Sequence, residues 1–127
     1  MRLARSVLLL TFLAVGAFAV VDALADATQT RPDHQAAGTR TEIVIEVETR
    51  RYRQDVTTAA EALWATCSAT VSSHLVGPGL ERLGDDTFRA VVAPGLGEHA
   101  RKRVLGCLKD LTLDRVRGHV VAVGDSP

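Results

Sequence analysis

The order of hydrophobic patterns along this chain predicts an α+β domain behind a single apolar helix. Three observations carry the prediction. An uncharged block lies near the N-terminus, three downstream segments alternate apolar and polar residues, and two segments between them repeat apolar residues at helical spacing. At 127 residues the chain holds one domain plus appendages.

The block is residues 6–21, SVLLLTFLAVGAFAVV, preceded by Arg2 and Arg5 and followed by Asp22. With no further arginine until Arg31, the positive charge keeps the N-terminus cytoplasmic and sends the remainder across the membrane. As an anchor, residues 7–25 would span about 28 Å as a helix, close to the roughly 30 Å of a bilayer's hydrocarbon. As a signal peptide, the run has a short basic start, and Ala23 and Ala25, or Ala25 and Ala27, supply small residues for a peptidase. We expect a transmembrane anchor or signal peptide over 1–25, with the anchor preferred and a secreted, cleaved form as the alternative.

Residues 26–41, DATQTRPDHQAAGTRT, contain no aliphatic residue larger than alanine and read as a flexible polar tether. The folded domain is expected over 42–124, with 125–127 as a tail. TEIVIEVETR opens it as a strand, with Ile43, Ile45 and Val47 on one side and Glu42, Glu46 and Glu48 on the other. From Asp55 to about Val71 the stripe Val56, Ala59, Ala60, Leu63, Cys67, Val71, widened by Trp64, predicts a helix. Asp55 is its expected cap, and Thr58 with Glu61 offers a second capping pattern. SSHLVGPG breaks that helix. Residues 80–83 and TFRAVVAP, joined at Gly84–Asp86, predict a hairpin with Phe88, Ala90 and Val92 facing inward. A second helix follows over about 98–111, its stripe Ala100, Val104, Cys107, Leu108 and Leu111 opposed by Arg101, Lys102 and Lys109. RVRGHVVAVG closes the chain as a strand from about Val116 to Val123.

Strand, helix, strand, strand, helix, strand is the split βαβ arrangement: a ferredoxin-like plait, βαββαβ, with a four-stranded antiparallel sheet and both helices on one face. Glutamates on the first strand and Arg117 and His119 on the last suit a sheet with one wet side. In that arrangement the helices run side by side, which brings Cys67 and Cys107 within about one helical turn of pairing. A disulfide there closes a forty-residue loop and persists outside the cytoplasm. With no Cys-x-x-Cys, the pair is structural and not a redox centre.

Few constellations carry chemistry. His34, His74, His99 and His119 are not spaced as metal ligands, and no metal or cofactor is expected. Arg50, Arg51 and Arg53 precede a helix N-terminus and form a candidate anion cradle, although the loop has no glycine and Asp55 competes for the same N–H groups. RKR at 101–103 reads as a wet helix face, and Ser72, Ser73 and His74 lack the strand-turn-helix setting of a nucleophile. Formal net charge is zero, and beyond the N-terminal block the aromatics are only Trp64, Tyr52 and Phe88, which excludes a nucleic-acid platform. The sequence therefore predicts a non-catalytic exported interaction or accessory domain, membrane-tethered on the outer face of the cytoplasmic membrane, with an unidentified protein partner in the cell envelope. An anion-binding domain or small enzyme using the Arg50–Arg53 loop is the alternative, and a homodimer through edge strands is a further possibility.

Overall fold

The structure, a computed structural model, describes residues 15–24, 33, 37–50 and 55–127. The chain divides into two units, Met1–Arg31 and Pro32–Pro127. In the first, residues 15–24 form a helix, α1, on which Val15, Phe18, Val20, Val21 and Leu24 are exposed. Among the described residues no helix is long and apolar enough to cross a membrane. Residues 6–14 of the expected span lie outside them, as do Ala25 and Ala27 of the expected cleavage site.

The second unit is mixed α+β. Its antiparallel sheet is built from β1 (Arg40–Thr49), β2 (His74–Leu75), β3 (Glu81–Arg82), β4 (Thr87–Ala93), β5 (Thr112–Leu113) and β6 (Val116–Ser126). The spatial order is β2-β4-β1-β6-β5, with β3 also paired to β4. Six strands replace the four expected, for two physical reasons. The strand expected at 80–83 reaches only Glu81–Arg82, and His74–Leu75, expected in a loop, pairs separately with Val92 and Ala93. Between them Gly77 and Gly79 take positive φ (101° and 159°) and Pro78 has no N–H, so no continuous ladder forms. At the other edge, Asp114 and Arg115 both adopt left-handed backbone (φ 49° and 68°), the tight turn that folds β5 onto the start of β6.

The alternation in β1 and β4 does what its period requires. Ile43, Ile45, Val47, Phe88, Ala90 and Val92 are buried against the helices, while Glu42, Glu46 and Glu48 are solvated or half-solvated on the opposite face. Helices α2 (Val56–Ser68) and α3 (Glu98–Asp110) cover the inner face with Ala59, Ala60, Leu63, Trp64 and Cys67 from the first and Ala100, Val104 and Leu108 from the second. α2 ends three residues earlier than its apolar stripe suggests, and Val71 packs from the following turn. Gly118 of β6 lets both helices approach, since a Cβ there would meet the Leu63 side chain at 2.7 Å and the Leu108 carbonyl oxygen at 2.9 Å.

Cys67 and Cys107 are joined, their Cα atoms 5.5 Å apart, which ties α2 to α3. Both cysteines fall in the last turns of their helices, α2 ending at Ser68 and α3 at Asp110. β6 continues to Ser126 and carries one extra residue, Val121, opposite the Val44–Ile45 step of β1.

Candidate functional site

Among the described residues, charged groups gather on the solvent-facing side of the sheet. β1 presents Glu42, Val44, Glu46 and Glu48, β4 presents Arg89, and β6 presents Arg117, His119 and Ala122. The pairing places Arg117 opposite Glu48 and His119 opposite Glu46. Arg89 bridges two strands, its Nε 3.0 Å from Glu81 and its Nη1 3.6 Å from Glu42. The hydrogen bond to Glu81 comes first in holding the guanidinium's pKa above its ordinary value, followed by the charge of that carboxylate. His119 Nε2 lies 3.8 Å from Glu48, which also meets Arg50 Nε at 3.5 Å. Between these charges, Val44 and Ala122 floor a shallow depression rimmed by Glu42 and Ser126.

The Arg50–Arg53 cluster falls partly outside the description. Arg50 follows β1, exposed, and its backbone N–H donates to the Arg115 carbonyl at 3.2 Å. Arg51 and Arg53 lie outside the described residues. The α2 N-terminus already holds an anion, because the Asp55 carboxylate accepts from the Thr58 hydroxyl at 2.7 Å and from the Thr58 N–H at 2.9 Å. Those two bonds hold the Asp55 pKa below the ordinary carboxylate value. Thr58 thus serves the Asp55 cap rather than opening a box with Glu61.

The α3 N-terminus is capped from a distance. Its N-cap is Gly97, which has no side chain to offer, and the carboxylate of Asp33 accepts instead from His99 N (3.0 Å) and Ala100 N (2.6 Å). Burial pushes the Asp33 pKa up. The two backbone bonds and the nearby charges of His99 and Arg103 outweigh that and hold it below its ordinary value. The sequence places Asp33 inside the expected tether, and only the bare glycine at Gly97 signals that a cap must come from elsewhere.

The RKR face also differs from expectation. Lys102 is exposed and pairs with Glu98 at 2.7 Å, which lowers the Glu98 pKa, but Arg101 turns inward to the Asp125 carboxylate. Asp125 also accepts from the Thr41 hydroxyl at 2.8 Å, and the buried Thr41 oxygen accepts in turn from Leu96 N at 2.8 Å. Arg101 first and Thr41 second draw the Asp125 pKa down. Residue 125, expected in a tail, therefore closes a polar junction between β1, β6, α3 and the 93–97 loop.

Each of these displaced pKa values has a structural cause at a cap, strand pair or helix junction, and these groups do not converge on one pocket. Among the described residues no group of His, Cys, Asp and Glu is arranged to hold a metal ion. Ser73 is buried while His74 beside it is exposed on β2. Comparison with known proteins finds no family, no curated protein and no solved structure that matches this chain.

Proposed function

We propose that this chain is a non-catalytic exported interaction domain, held on the outer face of the cytoplasmic membrane by its N-terminal apolar segment, where it recruits or stabilises a protein partner of the cell envelope. Release as a secreted form by cleavage near Ala23–Ala27 is the alternative state of the same domain. The observation that carries export is the Cys67–Cys107 disulfide, a cross-link of the kind that persists in oxidising compartments. Arg2 and Arg5 ahead of the apolar block support the same orientation.

The fold is a ferredoxin-like plait whose second strand is broken into β2 and β3. Counting those two as one, the strands follow the order of the split βαβ unit, with β1 and β4 paired at the centre, β6 outside β1 and the broken strand outside β4. The fold alone carries no activity.

Topology is tested in intact spheroplasts. Added protease degrades the domain while a cytoplasmic marker survives, and a domain that stays protected until lysis overturns the reading.

A second reading, anion binding at the Arg50–Arg53 loop, is favoured by one feature. The left-handed Asp114–Arg115 turn brings a further arginine's backbone against Arg50. Titration with phosphate, sulfate or an anionic glycan, followed by backbone NMR, decides it. Saturable shifts confined to residues 49–58 and 114–116 and abolished by Arg50→Ala support it, and the absence of a saturable response removes it.

A further inference from the structure

The two edges of the sheet are built differently. Next to β4 lie β2 and β3, two residues each, separated by Gly77, Pro78 and Gly79 and charged at Glu81 and Arg82. A short, interrupted, charged edge resists pairing with other chains. β6 is bordered on its outer side by β5 only at Val116 and Arg117. Among the described residues its remaining length, 118–126, faces no strand there. That stretch contains no proline or lysine, and Val121 at its middle is 60% exposed. Its free N–H and C=O groups form a template for another extended chain.

We propose that β6 pairs antiparallel with β6 of a second copy, about a twofold axis between Val121 and Ala122. The register follows from the bulge. Before it, even-numbered residues face the helices, as buried Val116 and Gly118 do. After it, odd-numbered residues do so, since Val123 and Asp125 sit opposite the inward Ile43 and Thr41. Val121 and Ala122 are both exposed toward the wet side. Residues opposed across an antiparallel pair share a face.

In the proposed register Val121 meets Ala122 of the second copy, Val120 meets Val123, His119 meets Gly124 and Gly118 meets Asp125, and every pair matches. Sliding by two residues either way puts an inward residue opposite an outward one at the axis, Val120 against Val121 or Ala122 against Val123. The bulge, which would spoil pairing with most strands, here coincides with the axis.

Charge agrees with the same register. No like charges are opposed, since His119 meets Gly124 and Gly118 meets Asp125 of the second copy. On the wet side, Val121 and Ala122 from both copies adjoin Val44 to make one apolar strip across the joint. The interface is isologous and closes at two copies. It does not depend on the protein's location, so export and dimerisation fail or stand separately.

The test uses the full chain in its native membranes or in detergent. The native cysteines are bonded to each other, so Val121→Cys introduces the one free thiol. Mild oxidation is expected to convert Val121→Cys, and likewise Ala122→Cys, to a covalent dimer on a non-reducing gel, while Leu83→Cys at the opposite edge stays monomeric. In sedimentation of the detergent-solubilised chain, Val121→Lys is expected to raise the dimer dissociation constant roughly tenfold by opposing like charges at the axis. Circular dichroism confirms that each variant folds. Equal cross-linking at 83 and 121, cross-linking of 121 to a protein of different mass, or a monomer at all concentrations overturns the proposal.

Discussion

Helices α2 and α3 are each thirteen residues long and begin with their N–H groups bound to an aspartate, yet the two aspartates reach them by opposite routes. Asp55 stands three residues before Thr58, which donates to it, within one turn. Asp33 stands sixty-six residues before His99 and must be delivered by the fold. Any window containing residues 55–61 reveals the first cap. The second becomes visible only once β1 has brought residues 39–41 beside the 95–96 loop, where Gly95 N donates to the Thr39 carbonyl at 2.8 Å and Leu96 N to Thr41. A local cap secures one helix, whereas a remote cap also fastens the segment that carries it, so part of the expected tether belongs to the domain.

The largest disturbance of this pair is to cut what joins the helices. Replacing Cys67 and Cys107 by alanine is expected to cost about 4 kcal/mol in urea unfolding, the chain-entropy value for a loop of some forty residues. Amide exchange should then report whether the remotely capped α3 loosens before the locally capped α2, the order expected if Asp33 holds α3 only while the tertiary fold is intact.

Next in size is Gly118→Ala. Its Cβ would press on Leu63 of α2 and on the backbone of Leu108 of α3, and the backbone cannot yield as a side chain does. About 2 kcal/mol of destabilisation is expected, the usual range for overpacking. Unequal shifts in the two helices' exchange rates would show which one gives way.

The smallest effect sharpens the comparison most. Asp33→Ala is expected to cost about 1 kcal/mol, a typical cap loss. Gly97→Ala should cost a similar amount for the same reason, because a Cβ at 97 would lie 2.3 Å from that of Asp33 and expel it. The two changes share one contact, so the double variant should fall well short of their sum. Asp55→Ala, in contrast, should add to either. The folded-state pKa of Asp33 lies below the ordinary 3.8, so its stabilisation is complete above that pH and is lost as pH falls through the lowered value. Asp33→Asn should therefore show a shallower loss of stability in acid than the native chain.

What could be read from the sequence follows the same division between local and remote. The period-two pattern of residues 41–49 and the helical stripes around Leu63 and Val104, each of which carries one cysteine, depend on neighbours a few residues apart, and the structure contains them. The break between β2 and β3, the fold-back of β5 and the bulge at Val121 depend on backbone torsions and cross-strand register, for which Pro78 and the Asp114–Arg115 pair give only a partial cue. The candidate surface was legible as a wet face through Glu42, Glu46, Glu48, Arg117 and His119. The inward turn of Arg101 was not, because its partner Asp125 lies twenty-four residues away on a strand expected to end sooner.

The central claim, an exported disulfide-stapled domain, is tested most directly by the intact mass of the protein from fractionated cells, alkylated with and without prior reduction. The account predicts protein in the membrane fraction, or a shortened form outside the cell, that takes up no alkyl group until reduced and two afterwards. Full-length protein in the cytoplasmic fraction with both thiols alkylated before reduction would contradict it.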